Sequence, residues 1–191
     1  MGYKLEGIWD GGLAVDLHTI SSIPCGQNEF GHTIFDTTRT RLGELVHLCK
    51  YKGDMKLSPK IAELVDERVG NIRDFDFLIP APPSNSARAS QPVMLVATEL
   101  SRITGVPILQ DIFLVKPHEQ LKSVNANDLR LQILRQSITL VKSPDIAGKK
   151  ILLFDDVYRS GSTLTVLCEP LRPLAPAKIC VLTATKTRSH R

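Results

Sequence analysis

The sequence predicts an α/β fold: a mostly parallel sheet flanked by helices, with a small N-terminal hairpin. Three observations carry this. Residues 151–163, ILLFDDVYRSGST, run from four apolar residues through two aspartates into a loop of small and hydroxylated residues, and Leu164, Leu167, Cys168 and Leu171 then recur at helical spacing. That order reads as a buried parallel strand, a turn and the start of a helix. Further short apolar runs at 75–79, 112–115 and 179–183 are separated by segments of helical period, as parallel strands joined by helices would be. Finally, 191 residues with 42% hydrophobic content suit one domain with an ordinary core.

In chain order, residues 1–38 form a separate small segment ahead of a domain spanning 39–191. GIWDGGLAVDLHT has apolar residues on both sides of Asp10-Gly11-Gly12, a hairpin pattern with the turn at the glycines. Trp9 reads as core, and His18 and His32 have no partner at metal-ligand spacing. Leu42, Leu45, Val46 and Cys49 give residues 39–52 one apolar helical face, ended by Gly53-Asp54. Ser58-Pro59 reads as a helix cap with proline in first position; Ile61, Leu64, Val65 and Val69 are the buried stripe, and Gly70-Asn71 the stop. The strand at 75–79 runs into Pro80-Ala81-Pro82-Pro83-Ser84, a stiff loop with room for a cis bond. Pro92 opens a helix to about Arg102, with Gly105 beyond it. A strand at 112–115 follows. The polar stretch 116–142 is long for a connection and contains a short helix around Leu129, Ile133 and Leu134. The signature strand, its helix and a final strand at 179–183 complete the sheet.

Composition narrows the function classes. A net charge of +4 and 5% aromatic content permit nucleic-acid binding without indicating it. Neither a signal peptide nor an apolar run of about 18 residues occurs, so no membrane role is expected. Cys25, Cys49, Cys168 and Cys180 are far apart with no C-x-x-C pair, which argues against a local zinc site and suits a reducing cytoplasm.

The chemistry concentrates at 155–163. Backbone N–H groups at a helix start, together with the hydroxyls of Ser160, Ser162 and Thr163, suit a phosphate, and Gly161 lets the backbone come close. Asp155 and Asp156 would repel that phosphate, but they suit hydroxyl groups beside it. One loop therefore offers a phosphate cradle and a diol acceptor, the two ends of a ribose 5-phosphate. The plainer reading of the same residues is a strand ending in solvated aspartates before a Ser/Thr-capped helix.

This stretch resembles the phosphoribosyl-diphosphate (PRPP) signature of type I phosphoribosyltransferases: four hydrophobic residues, two acids, two mostly apolar residues and a Thr/Ser/Gly-rich loop. It departs at the first loop position, often small or hydroxylated in the family and here Arg159. A helix ending in Lys-Tyr-Lys-Gly-Asp (50–54), the IPAPPS loop followed by Gln91, and a basic loop leading into GKKILLFDDV resemble the ComF-type (competence-associated, amidophosphoribosyltransferase-like) branch over roughly 39–185. Zinc-binding cysteines that often precede that branch's domain are absent, and its usual run after the proline loop is here Ala87-Arg88-Ala89-Ser90-Gln91.

The resemblance implies a Rossmann-like core with residues 1–38 as a hood, and transfer of phosphoribosyl from PRPP to a nitrogen acceptor with release of pyrophosphate. By it, Asp155 and Asp156 are the catalytic acids, contacting Mg²⁺ indirectly through ribose hydroxyls or water. Arg159, Ser160, Gly161, Ser162 and Thr163 hold the 5-phosphate. Ala81, Pro82, Pro83, Ser84 and Arg88 take the pyrophosphate. Lys116, Lys122, Arg130 and Arg135 are candidates on a mobile loop. A homodimer would be ordinary for the family. The alternative is a non-catalytic PRPP or nucleotide-binding regulator, or an accessory protein in DNA uptake. The acceptor is not legible.

Overall fold

A computed structural model describes residues 2–83, 91–116 and 127–188. Its centre is a five-stranded sheet in the order β1-β2-β9-β8-β5. The strands are β1 (Tyr3–Lys4), β2 (Gly11–Leu17), β5 (Phe77–Pro80), β8 (Lys150–Tyr158) and β9 (Lys178–Lys186). All neighbours pair in parallel except β1, which lies antiparallel at the edge. The expected α/β class with a mostly parallel, helix-flanked sheet is therefore what forms.

Strand alternation assigns the two faces. Leu152 and Phe154 of β8, with Cys180, Leu182 and Ala184 of β9, pack with α1 (Arg41–Tyr51), α2 (Ser58–Val69) and α3 (Pro92–Thr104). Ile151 and Leu153, with Ile179 and Val181, pack with α5 (Ser162–Leu171) on the other face. Most of these side chains are fully buried, so the sheet is covered on both faces. The four parallel strands end on the same side, and Asp155 and Asp156 stand at that end of β8.

The N-terminal segment, expected as a hood or hairpin, also supplies strands to the main sheet. β2 pairs along its length with β9, from Gly11 beside Cys180 to Leu17 beside Lys186, so it is an integral strand of the sheet. Asp10-Gly11-Gly12 is not the turn. Gly11 and Gly12 begin β2, and the Asp10 carboxylate accepts from Arg172 and from the Ile179 amide, tying the loop to β9. Gly12 is required for close approach, because a Cβ there would lie 2.5 Å from the Trp9 indole nitrogen and 2.7 Å from the Leu5 carbonyl oxygen. Trp9 is core, as expected, and its N–H donates to that carbonyl. Within this segment β3 (Thr19–Gln27) and β4 (Thr33–Arg39) stand apart, as a two-stranded ribbon.

Other expectations shift. The run at 112–115 does not join the parallel sheet: β6 (Phe113–Val115) pairs antiparallel with β7 (Ile138–Leu140) in a small sheet of its own. Residues 107–109 instead extend the main sheet at the edge of β5 through two backbone bonds at Leu78. Ser58 is inside the first turn of α2 rather than capping it, and its hydroxyl donates to the Met55 carbonyl. No cis peptide occurs among the described residues. The helix within 116–142 is longer than expected and forms α4 (Asn127–Ser137), which packs on α5. Among the described residues no helix is long and apolar enough to cross a membrane.

Candidate phosphate and sugar site

β8 delivers the two aspartates to the mouth of a cleft of about 210 Å³. Among the described residues, the cleft is lined by Ala81, Pro82, Pro83 and Gln91, by residues 158–164, and by Lys50, Arg130 and the two aspartates. The sequence-predicted residues Ala81, Pro82, Pro83, Arg130, Asp155, Asp156 and 159–163 are thus brought together. The proline loop is fixed to the acid strand by the Ala81 amide, which donates to the Phe154 carbonyl at 2.7 Å. Ser84, Arg88 and Lys122 lie outside the described residues.

The loop after β8 is built for close approach. Gly161 has φ +77° and caps α5; a Cβ there would fall 2.8 Å from the Tyr158 hydroxyl. Tyr158 is in turn held edge-on against Trp9, with ring centroids 6.4 Å apart. No side chain caps the first turn of α5. Its leading N–H groups have no acceptor within the helix, and they carry the positive end of the helix dipole. The Ser160 and Ser162 hydroxyls are hydrogen-bonded to each other at 2.8 Å, which leaves one of the two O–H groups to donate to a ligand. Arg130 and Arg159 both line the cleft here, and burial, then the Arg159 charge, lower the pKa of the Arg130 guanidinium. Two guanidinium groups in one cleft favour an anionic ligand.

The acids are not equivalent. Asp156 is nearly buried. Lys50 Nζ, from the last turn of α1, donates to its Oδ1 at 2.8 Å and lies 2.8 Å from Oδ2. Burial opposes the Lys50 charge, but Asp156 and Asp155 outweigh it and raise the ammonium's pKa. Asp155 accepts from the Asp156 amide at 2.8 Å. Burial, then the Asp156 charge, push its pKa up to about 7. Beside it in the ladder, Thr183 is fully buried, and its hydroxyl has no hydrogen-bond partner among the described residues. Behind Asp156, Thr185 donates to its carbonyl and meets His18 Nδ1 at 3.1 Å. His18 has a lowered pKa, through burial and then Arg39.

Two predicted cations do not reach the cleft. Lys116 is exposed after β6 and is not among the lining residues. Arg135 forms a two-pronged pair with Glu169 that ties α4 to α5. Arg130 belongs to the same helix and lines the cleft together with Arg159 and the proline loop. Lys50 was missed as a site residue, since its partner lies 106 residues away. The Lys50-Tyr51-Lys52-Gly53-Asp54 run was the only signal that could have drawn attention to it.

The chain matches no family model and no curated protein. Among solved structures it is similar to a purine phosphoribosyltransferase from Pyrococcus horikoshii, at 16% identity over 66% of this chain and 80% of that one, with a TM-score of 0.44. It is also similar to a hypoxanthine phosphoribosyltransferase from Trypanosoma cruzi, at 15% identity over 78% and 68%, TM-score 0.44. A lysine-to-arginine mutant of a hypoxanthine phosphoribosyltransferase from T. cruzi, complexed with the product IMP, gives 14% identity over 68% and 63%, TM-score 0.45.

Proposed function

We propose that the chain binds PRPP with Mg²⁺ and transfers the phosphoribosyl group to a nitrogen acceptor, releasing pyrophosphate. One observation carries this reading: a single cleft holds an acid pair at a strand end directly beside an uncapped helix start flanked by hydroxyls and two guanidinium groups. A phosphate cradle alone would suit many ligands. An acid pair next to it selects a phosphorylated molecule that also carries a diol.

In this reading, the amides of residues 161–163, the hydroxyls of Ser160, Ser162 and Thr163, and Arg159 with Arg130 hold the 5-phosphate. Asp155 and Asp156 accept from the ribose hydroxyls and favour the positive charge that develops at C1 as its bond to pyrophosphate breaks. The bond to the acceptor nitrogen forms on C1, and that nitrogen loses a proton. Positioning and electrostatics do the work, with no covalent intermediate. The 81–83 loop, rigid and tied to β8, borders the space left for the pyrophosphate, and the resemblance adds Ser84 and Arg88 as ligands of that group. Among the described residues no group of three or more His, Cys, Asp or Glu side chains could hold a metal ion. Two carboxylates, one already bound to Lys50, fit a hydrated Mg²⁺ that arrives on the ligand and is contacted through water. The ion would neutralise charge on the leaving pyrophosphate. The finer likeness to the competence-associated branch supports no particular acceptor.

Pyrophosphate release from PRPP and Mg²⁺, measured across a panel of purine, pyrimidine and amine acceptors, tests the reading. Release with at least one acceptor, lost when Asp155 and Asp156 are both changed to asparagine in a folded protein, is the expected result. Unchanged release in that double variant would refute it.

A further inference from the structure

We infer that Lys50 is a positioning residue of this site, a cationic strut that lets an acid pair work in a cleft built for an anionic ligand. The inference rests on the PRPP reading above and adds a residue to it. Two adjacent carboxylates beside a phosphate cradle pose an electrostatic problem: they repel each other and the phosphates of the ligand. Lys50 answers it from across the fold. Its ammonium reaches Asp156 from α1 with 2.8 Å separations to both carboxylate oxygens, and it lines the same cleft. The Asp156 side chain is 8% exposed and that of Lys50 27%, so the pair sits at the cleft wall rather than in the core or on the open surface. The position at the end of α1 also favours a cation, because the helix carbonyls point that way. Lys50 sets one positive charge against the acid pair and holds the Asp156 carboxylate in one orientation.

A purely structural ion pair would contribute to stability alone. The test therefore reads ligand affinity. PRPP is titrated in the presence of MgCl₂ and binding is followed by the rise in melting temperature. Lys50→Met should weaken PRPP by roughly 10–100-fold, by analogy with the loss seen when a group that orients a metal-coordinating side chain is removed. Lys50→Gln keeps a hydrogen-bond donor but no charge, and it should lose affinity as well; it also serves if the methionine variant does not fold. Lys50→Arg should recover most of the loss. Lys52→Met removes the same charge two residues on, from an exposed position, and should change nothing. Adding Lys50→Met to Asp156→Asn should produce no further loss, because Lys50 acts through Asp156. A Lys50→Met or Lys50→Gln protein that melts lower but binds PRPP as the wild type does overturns the inference while leaving the PRPP reading intact. Full additivity with Asp156→Asn also overturns it. A wild-type protein that ignores PRPP overturns both.

Discussion

Replacing Asp155 with asparagine should remove a pH dependence from the stability of the fold. Burial and the adjacent Asp156 carboxylate push the Asp155 pKa from 3.8 up to about 7, against the pull of Lys50. The unfolded chain releases this proton near 3.8, whereas the folded chain holds it to about 7. The folded state therefore has its full advantage below the lower value and loses it as pH climbs toward the upper one. Each unit is worth about 1.4 kcal/mol, so the whole window has a ceiling of about 4 kcal/mol. Water in the cleft reduces the effect, and between pH 4.5 and 8.5 we expect the wild type to lose about 2–3 kcal/mol relative to Asp155→Asn. Urea denaturation of both proteins at several pH values measures this, with the slope m checked for constancy. Stability curves that run parallel across that range would show that Asp155 titrates normally. The electrostatic description of the acid pair would then be wrong.

Gly161→Ala should lower the melting temperature by about 2–4 °C, from about 1 kcal/mol of left-handed backbone cost, and weaken phosphate binding more, since the new Cβ meets the Tyr158 hydroxyl at 2.8 Å. Thermal melts with and without inorganic phosphate separate the two effects. Thr163→Val should leave stability unchanged and weaken PRPP about tenfold, the loss of one hydrogen bond to a charged group; equal affinity would take Thr163 out of the cradle. Phe154→Ala, at the largest fully buried side chain, should cost about 3–5 kcal/mol in denaturant, and a loss under 1 kcal/mol would contradict the packing of β8.

Elements whose pattern is local were legible in the sequence. Residues 151–154 read as a buried strand because all four are apolar and the sheet is covered on both faces; α5 read as a helix from Leu164, Leu167, Cys168 and Leu171. The acid pair, the proline loop and the small-residue loop were found together because they end or follow neighbouring strands on one side of the sheet. What the sequence hid depends on distant partners. Gly11 and Gly12 look like a turn until β9 lies beside them and Trp9 covers Gly12. Phe113–Val115 has the composition of a sheet strand, yet residues 107–109 occupy the edge of β5 and β6 pairs with β7 instead. Lys50 looks like a surface lysine at a helix end, and only the packing of α1 on the sheet brings it to Asp156.

A thermal melt with and without PRPP and Mg²⁺ tests the central claim most directly. Ligand at about 100 times its dissociation constant adds roughly 2.7 kcal/mol, a rise of about 5–10 °C for a domain of this size. The account predicts that rise in the wild type and its disappearance when Asp155 and Asp156 are both asparagine. No shift at millimolar PRPP, or the same shift in the double variant, would contradict it.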